Sequence, residues 1–157
     1  MSVSIKLEGV GNVQTVFREL ADEIGDKKAN SKILIPAVRE SMKPVLAKAR
    51  ADAPVDTGGL RRSLQVEARR PNRKDKRSKY IANTDTVISL VTTAPGKKLA
   101  KLNIKSDARA IAQEFGTARH PAHPYLRAAL ESQSAIVINN LAGILARRID
   151  KYKKANL

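Results

Sequence analysis

The chain contains no cysteine and no tryptophan. Without thiols it has no disulfides, no thiolate metal site and no cysteine nucleophile, which fits synthesis in a reducing compartment. Aromatic residues make up only 3% of the sequence. A single-strand binder stacks bases on aromatic platforms, so that class is disfavoured, and the core must come from Leu, Ile, Val and Ala. No apolar run approaches the roughly 20 residues that cross a bilayer. The N-terminus MSVSIKLEGV lacks the basic start and apolar run of a signal peptide. A soluble protein made in the cytoplasm, with no membrane partner, is the expectation. Acids are also scarce: fifteen Asp and Glu face thirty Lys and Arg, a net charge of +15. That balance implies an anionic neighbour, either nucleic acid, an acidic protein surface or an anionic membrane.

A length of 157 residues suits one domain over 1–157 with one core. Val3, Ile5 and Leu7 alternate with Ser4, Lys6 and Glu8, the pattern of a half-buried strand. Val13, Val16, Phe17, Leu20 and Ile24 then fall at helical spacing, with Asn12 as N-cap and Gly25 and Asp26 as the close. Lys27 to Asn30 reads as a polar linker. A second helix is expected from about Ser31 to Ala53. Pro44 either kinks it or breaks it into two. Pro54 stops it, and Asp56 to Gly59 carries turn chemistry. Leu64, Val66 and Ala68 alternate as a strand, and Thr86 to Thr92 looks like its partner. Between them, at about 69–80, lies a basic loop with seven cations, Arg69, Arg70, Arg73, Lys74, Lys76, Arg77 and Lys79, and one acid, Asp75. So charged a run reads as an exposed, mobile segment at a hairpin tip.

Ala94 to Lys105 reads as a second basic connector. Ser106 or Asp107 can cap a short helix over Ala108 to Phe115, which Gly116 ends in the left-handed position. Pro121 and Pro124 stiffen the stretch from His120 to Pro124. Pro124 then opens a long last helix reaching about Lys153, with Leu126, Leu130, Val137, Leu141, Ile144, Leu145, Ile149 and Tyr152 as its buried stripe. The sum is an α+β fold: a small, mostly antiparallel sheet packed with helices, and a long C-terminal helix.

The residues offer little chemistry. Asp56-Thr57-Gly58 matches the aspartic-protease tripeptide, but a helix precedes it rather than a strand, and the flap-rich all-β pattern is missing. His120 and His123 are the only histidines, too few to hold zinc without further ligands. Glu114 has no accompanying nucleophile or second carboxylate, so capping is a better role for it than acid–base work. No phosphate-loop or dinucleotide fingerprint is present. No enzyme, cofactor or metal is expected. The basic loop would contact phosphate or an acidic partner, blind to base sequence and sensitive to salt.

Two segments together, APVDTGGLRRSL (Ala53 to Leu64) and EFGTARHPAHPYLRAALE (Glu114 to Glu131), resemble the paired signatures of the neck proteins of long-tailed bacteriophages. These are also called tail-completion or head–tail joining proteins. The long basic loop departs from that pattern, as do Ala128 in place of a frequent proline and Tyr125 in place of phenylalanine. The resemblance implies a non-enzymatic virion protein of the neck or upper tail. It would assemble with itself as a ring, a hexamer, between the head-completion connector and the tail terminator or tail tube, with phage DNA passing through the lumen. Asp56, Thr57, Gly58 and Gly59 would shape one contact turn. Glu114, Gly116, Thr117, His120, Pro121, His123, Pro124 and Tyr125 would shape the other. From the charge alone, the competing expectation is a sequence-independent double-stranded DNA-binding protein.

Overall fold

In the computed structural model, residues 10–55, 58–104 and 109–156 are described. The strand expected over Ser2 to Glu8 lies outside them, as do Asp56, Thr57, Ser106 and Asp107. The fold is α+β, with a two-stranded antiparallel sheet and a long C-terminal helix. Residue contacts gather in two units. One is built from the described parts of Met1–Ser41, Ala68–Ser89 and Ile136–Leu157, the other from those of Met42–Glu67 and Leu90–Ala135.

In the first unit, α1 (Val10–Ile24) buries its apolar stripe. It begins two residues before Asn12, which lies inside the helix rather than capping it. Gly25, at φ 87°, ends the helix, and its N–H still reaches the carbonyl of Ala21 at 2.8 Å. The expected polar linker is instead helical: α2 (Asp26–Ala29) runs into a π-helical turn, Asn30–Leu34, and then α3 (Ile35–Ser41). Ala29, whose methyl is completely buried, explains why that charged stretch stays ordered. Leu20, Ile33 and Ala37 close a core with Ile144, Leu145 and Ile149 of the last helix, flanked by Val13, Val16, Phe17 and Tyr152. Glu40 fixes the pairing by accepting from Arg148 Nη2 at 2.6 Å and Arg147 Nη2 at 3.3 Å.

The expected second helix divides at Met42, and α4 (Lys43–Asp52) starts with Pro44 in its first turn. There the ring's missing N–H costs no helical hydrogen bond, so a break is easier than a kink. Every fourth residue from Ala29 through Ile33, Ala37, Ser41, Val45 and Ala49 to Ala53 is buried. An unbroken helix of 3.6 residues per turn would swing such a series steadily off its face. The wide π turn over Asn30–Leu34 resets it within the first unit.

After α5 (Gly59–Ser63) the chain enters β1 (Leu64–Arg69), which pairs with β2 (Ile88–Thr93). The expected connector at Ala94 to Lys105 contains a helix, α6 (Gly96–Lys101), anchored by buried Leu99. Asn103, at φ 55°, ends it, and the Ile104 N–H returns to the Leu99 carbonyl at 2.9 Å, a left-handed C-cap. Next come α7 (Arg109–Phe115) and α8 (Leu126–Asn156). α8 starts two residues after Pro124, so that proline lies ahead of the helix and not in its first turn. Leu130 departs from the expected stripe and is exposed; Ala129 is buried in its place. No helix among the described residues is long and apolar enough to cross a membrane.

Candidate functional site: a braced loop, a turn and a basic arm

The loop from Gly116 to Tyr125 is built by its neighbours. Gly116 ends α7 at φ 75° and donates to the Ala112 carbonyl at 2.7 Å. A Cβ there would lie 2.8 Å from the Ala122 nitrogen, so the chain folds back against the glycine face. Thr117 and His120 exchange backbone hydrogen bonds, 2.8 Å from the Thr117 N–H and 3.3 Å from the His120 N–H. The Thr117 hydroxyl also accepts from the amides of Arg119 and His120. The His123 N–H donates to the Gln113 carbonyl at 2.7 Å, tying the far side of the loop to α7. His120, Pro121, His123 and Pro124 are all exposed. His120, Pro121 and His123 line a shallow groove with Ala112 and Gln113. The stiffness expected from the two prolines therefore comes as much from these hydrogen bonds.

Glu114 is the keystone. Its side chain is buried, with 3% of the residue exposed. One carboxylate oxygen, Oε2, accepts from the backbone N–H of Tyr125 at 2.9 Å and of Leu126 at 2.8 Å. The other, Oε1, accepts from Arg127 N–H at 3.1 Å and Arg127 Nε at 2.9 Å. These amides are the orphan donors of the first turn of α8, and the negative charge faces the positive end of that helix. Burial pushes the Glu114 carboxyl up, but the Leu126 N–H, the Arg127 guanidinium and the amides of Arg127 and Tyr125 outweigh it and hold its pKa below the usual glutamate value. Glu114 thus caps a helix that begins twelve residues further on. Tyr125 is also buried, so both residues shape the loop from inside and present nothing to a partner.

The first signature is braced differently. Gly58, at φ 74°, opens α5 in the left-handed region, with Gly59 as the first helical residue. Arg61 donates through Nε to the Ala53 carbonyl at 3.3 Å and through Nη2 to the Ala51 carbonyl at 3.1 Å, covering the open end of α4. Arg50 Nη2 reaches the Leu64 carbonyl at 2.8 Å. The sequence reading missed both arginines.

The basic arm has an internal architecture. Asp75 accepts from Nη1 and Nη2 of Arg69 and from the Asn72 amide at 2.7 Å. The Asn72 carboxamide oxygen in turn accepts from the amides of Lys74 and Asp75, and a 3-10 turn follows over Asp75–Arg77. Hydrogen bonds from Arg69 and from the Asn72 amide bring the Asp75 pKa down to about 2. The exposed loop expected from its charge carries an internal latch. Its only acid is committed to Arg69, while Arg70, Arg73, Lys74, Lys76, Arg77 and Lys79 stand exposed without an acidic partner among the described residues.

A family model described as "Bacteriophage HK97-gp10, putative tail-component" matches residues 17–116. The match takes in the whole first signature and the Glu114-Phe115-Gly116 start of the second. No curated protein and no solved structure matches the chain significantly. With nearly two thirds of its length matched, the chain belongs to the HK97-gp10-like family of bacteriophage tail components.

Proposed function

We propose that this tail component is a subunit of the phage neck, joining a DNA-filled head to a finished tail as one copy in a ring, most simply a hexamer. The braced loop from Gly116 to Tyr125 carries this reading. Two prolines, a left-handed glycine, a threonine turn and a buried glutamate hold an otherwise exposed segment in one shape. Such investment in a surface loop suits a contact whose geometry must repeat from copy to copy. The segment Asp56, Thr57, Gly58 and Gly59 provides a second contact. The neighbouring rings are the head-completion connector and the tail terminator or tail tube. The role is structural, the place is the virion, and no cofactor takes part.

The basic arm grips an anion in this assembly. Six exposed cations on a latched loop suit the phosphates of DNA in the lumen, which need no base readout. The same loop supports the competing reading, a sequence-independent double-stranded DNA-binding protein. Electron microscopy of lysates from cells producing the phage with and without this protein separates the two. Unjoined full heads and complete tails in its absence establish the joining role. Normal particles overturn it and leave DNA binding in front.

A further inference from the structure

We propose that Ile111 and Phe115 form an apolar knob that enters a groove lined by Val13, Val16, Ala146 and Ile149 on a second copy of this chain. The contact specifies how neighbouring subunits of the proposed ring meet, and it rests on that reading.

The knob is costly to leave in water. The chain has two Phe and three Tyr, yet Phe115 is 67% exposed and Ile111, one turn earlier on α7, is 69% exposed. Residues four apart share a helix face. Leu130 of α8 is exposed as well. Three residues before it, Arg127 holds its guanidinium 5.3 Å from the centre of the Phe115 ring. Glu114 fixes that guanidinium through Nε and Nη2, so the ring is oriented before any partner arrives. An aromatic residue stacked on an arginine, at the rim of an exposed apolar face, has the composition of an interface anchor.

The groove fits it. Asn12, Val13 and Val16 of α1 and Ala146, Ile149 and Asp150 of α8 enclose about 180 Å³. A cavity of about 150 Å³ lined by aliphatic side chains holds a benzene ring, so a phenyl group has room. The walls are aliphatic, and Asp150 stands at the rim with no ion-pair partner among the described residues. Arg127 on the incoming copy has Nη1 still to donate, so the charges match where the apolar surfaces meet. Knob and groove are different patches of one surface. Two different patches that fit each other suit the head-to-tail contact of a ring.

Two variants of the full chain test this by sedimentation velocity: Phe115→Ala removes the knob, and Ala146→Phe plugs the groove. Circular dichroism and melting matched to the parent confirm their folds. Each alone should associate at least about 30-fold more weakly than the parent. Mixed, they should form a 1:1 dimer that stops at two, because the Ala146→Phe copy supplies only a knob and the Phe115→Ala copy only a groove. A second measurement uses the cysteine-free background: a Phe115→Cys copy and a Val16→Cys copy should form a disulfide on oxidation. A parent that closes rings while both variants close them equally well, with no crosslink, overturns the knob and groove and leaves the ring standing. A parent that stays monomeric at every concentration overturns both.

Discussion

Replacing Glu114 should cost more than any other single change in the loop. The residue is almost fully buried and serves three backbone amides and one guanidinium nitrogen. In Glu114→Ala, the buried Tyr125 N–H loses its acceptor and pays the full desolvation penalty, about 1–3 kcal/mol. The Leu126 and Arg127 amides are partly reached by water and lose about 1 kcal/mol each, the usual cost of a missing cap. Arg127 is more than half exposed, so its ion pair adds little. The total is about 3–5 kcal/mol, or a fall of roughly 6–20 °C in melting temperature for a chain of this size. Glu114→Gln keeps one acceptor oxygen but turns an amide group toward donors, and should cost about 2 kcal/mol.

Urea denaturation gives the global value, and hydrogen exchange at Tyr125, Leu126 and Arg127 gives the local one. The pH dependence follows from the lowered carboxyl pKa. A group whose folded pKa is depressed stabilises fully above its unfolded value, about 4.3 for glutamate, and loses that contribution as pH falls through the folded value. The gap between parent and Glu114→Gln should hold constant from pH 8 to pH 6 and shrink below about pH 4. A Glu114→Ala protein within about 0.5 kcal/mol of the parent at pH 7 would refute the capping argument.

Further outcomes can be checked alongside. Gly116→Ala should destabilise by about 2–4 kcal/mol, combining a strained left-handed angle with a Cβ pressed 2.8 Å from the Ala122 nitrogen, as calorimetry would show. Gly143→Ala should do the opposite. Its Cβ position in α8 is open, and helix propensity predicts a gain of about 0.5–1 kcal/mol by the same assay. Neutralising Arg70, Arg73, Lys74, Lys76, Arg77 and Lys79 together should flatten the dependence of DNA affinity on salt by up to about five in log–log slope. An unchanged slope in fluorescence anisotropy would remove the loop from the DNA-binding surface. Asp75→Asn should release Arg69 and speed amide exchange at Asn72 and its neighbours. In the parent this latch should persist at pH 4 and open only as pH falls toward about 2.

Much of this was legible in the sequence, for reasons that separate the readable from the unreadable. Periodicity located α1 and α8, because each buries one face over several repeats of its own period. β1 and β2 were placed by alternation and α7 by the glycine that ends it, although β2 buries neither face fully and α7 leaves Ile111 and Phe115 exposed. Gly116 was readable since a glycine after an apolar run has few other uses. The helix at Gly96–Lys101 was not: one buried leucine in six residues sets no period, and only Asn103 hinted at its end. Nor could spacing reveal that Ala129 is buried while Leu130 is exposed, because a helix held at its N-terminus by Glu114 takes its rotation from that clamp. Glu114 itself was recognisable as a cap, but its client helix begins twelve residues later, beyond any local rule. Arg50, Arg61 and Arg127 were lost in the general excess of cations, where nothing marks the few that bond back to carbonyls or a carboxylate of their own chain.

That excess gives the Arg69–Asp75 latch a consequence for kinetics. A disordered cationic loop must lose its conformational freedom at the moment it meets a partner, and that loss weakens whatever contact it makes. Here one acid orders the loop during folding, so its six outward cations meet an anion already arranged. The single negative charge lowers the net charge of the arm by one yet should raise its affinity for a polyanion. The benefit falls on residence time more than on encounter, since the long-range attraction is set by net charge and the hold by arrangement.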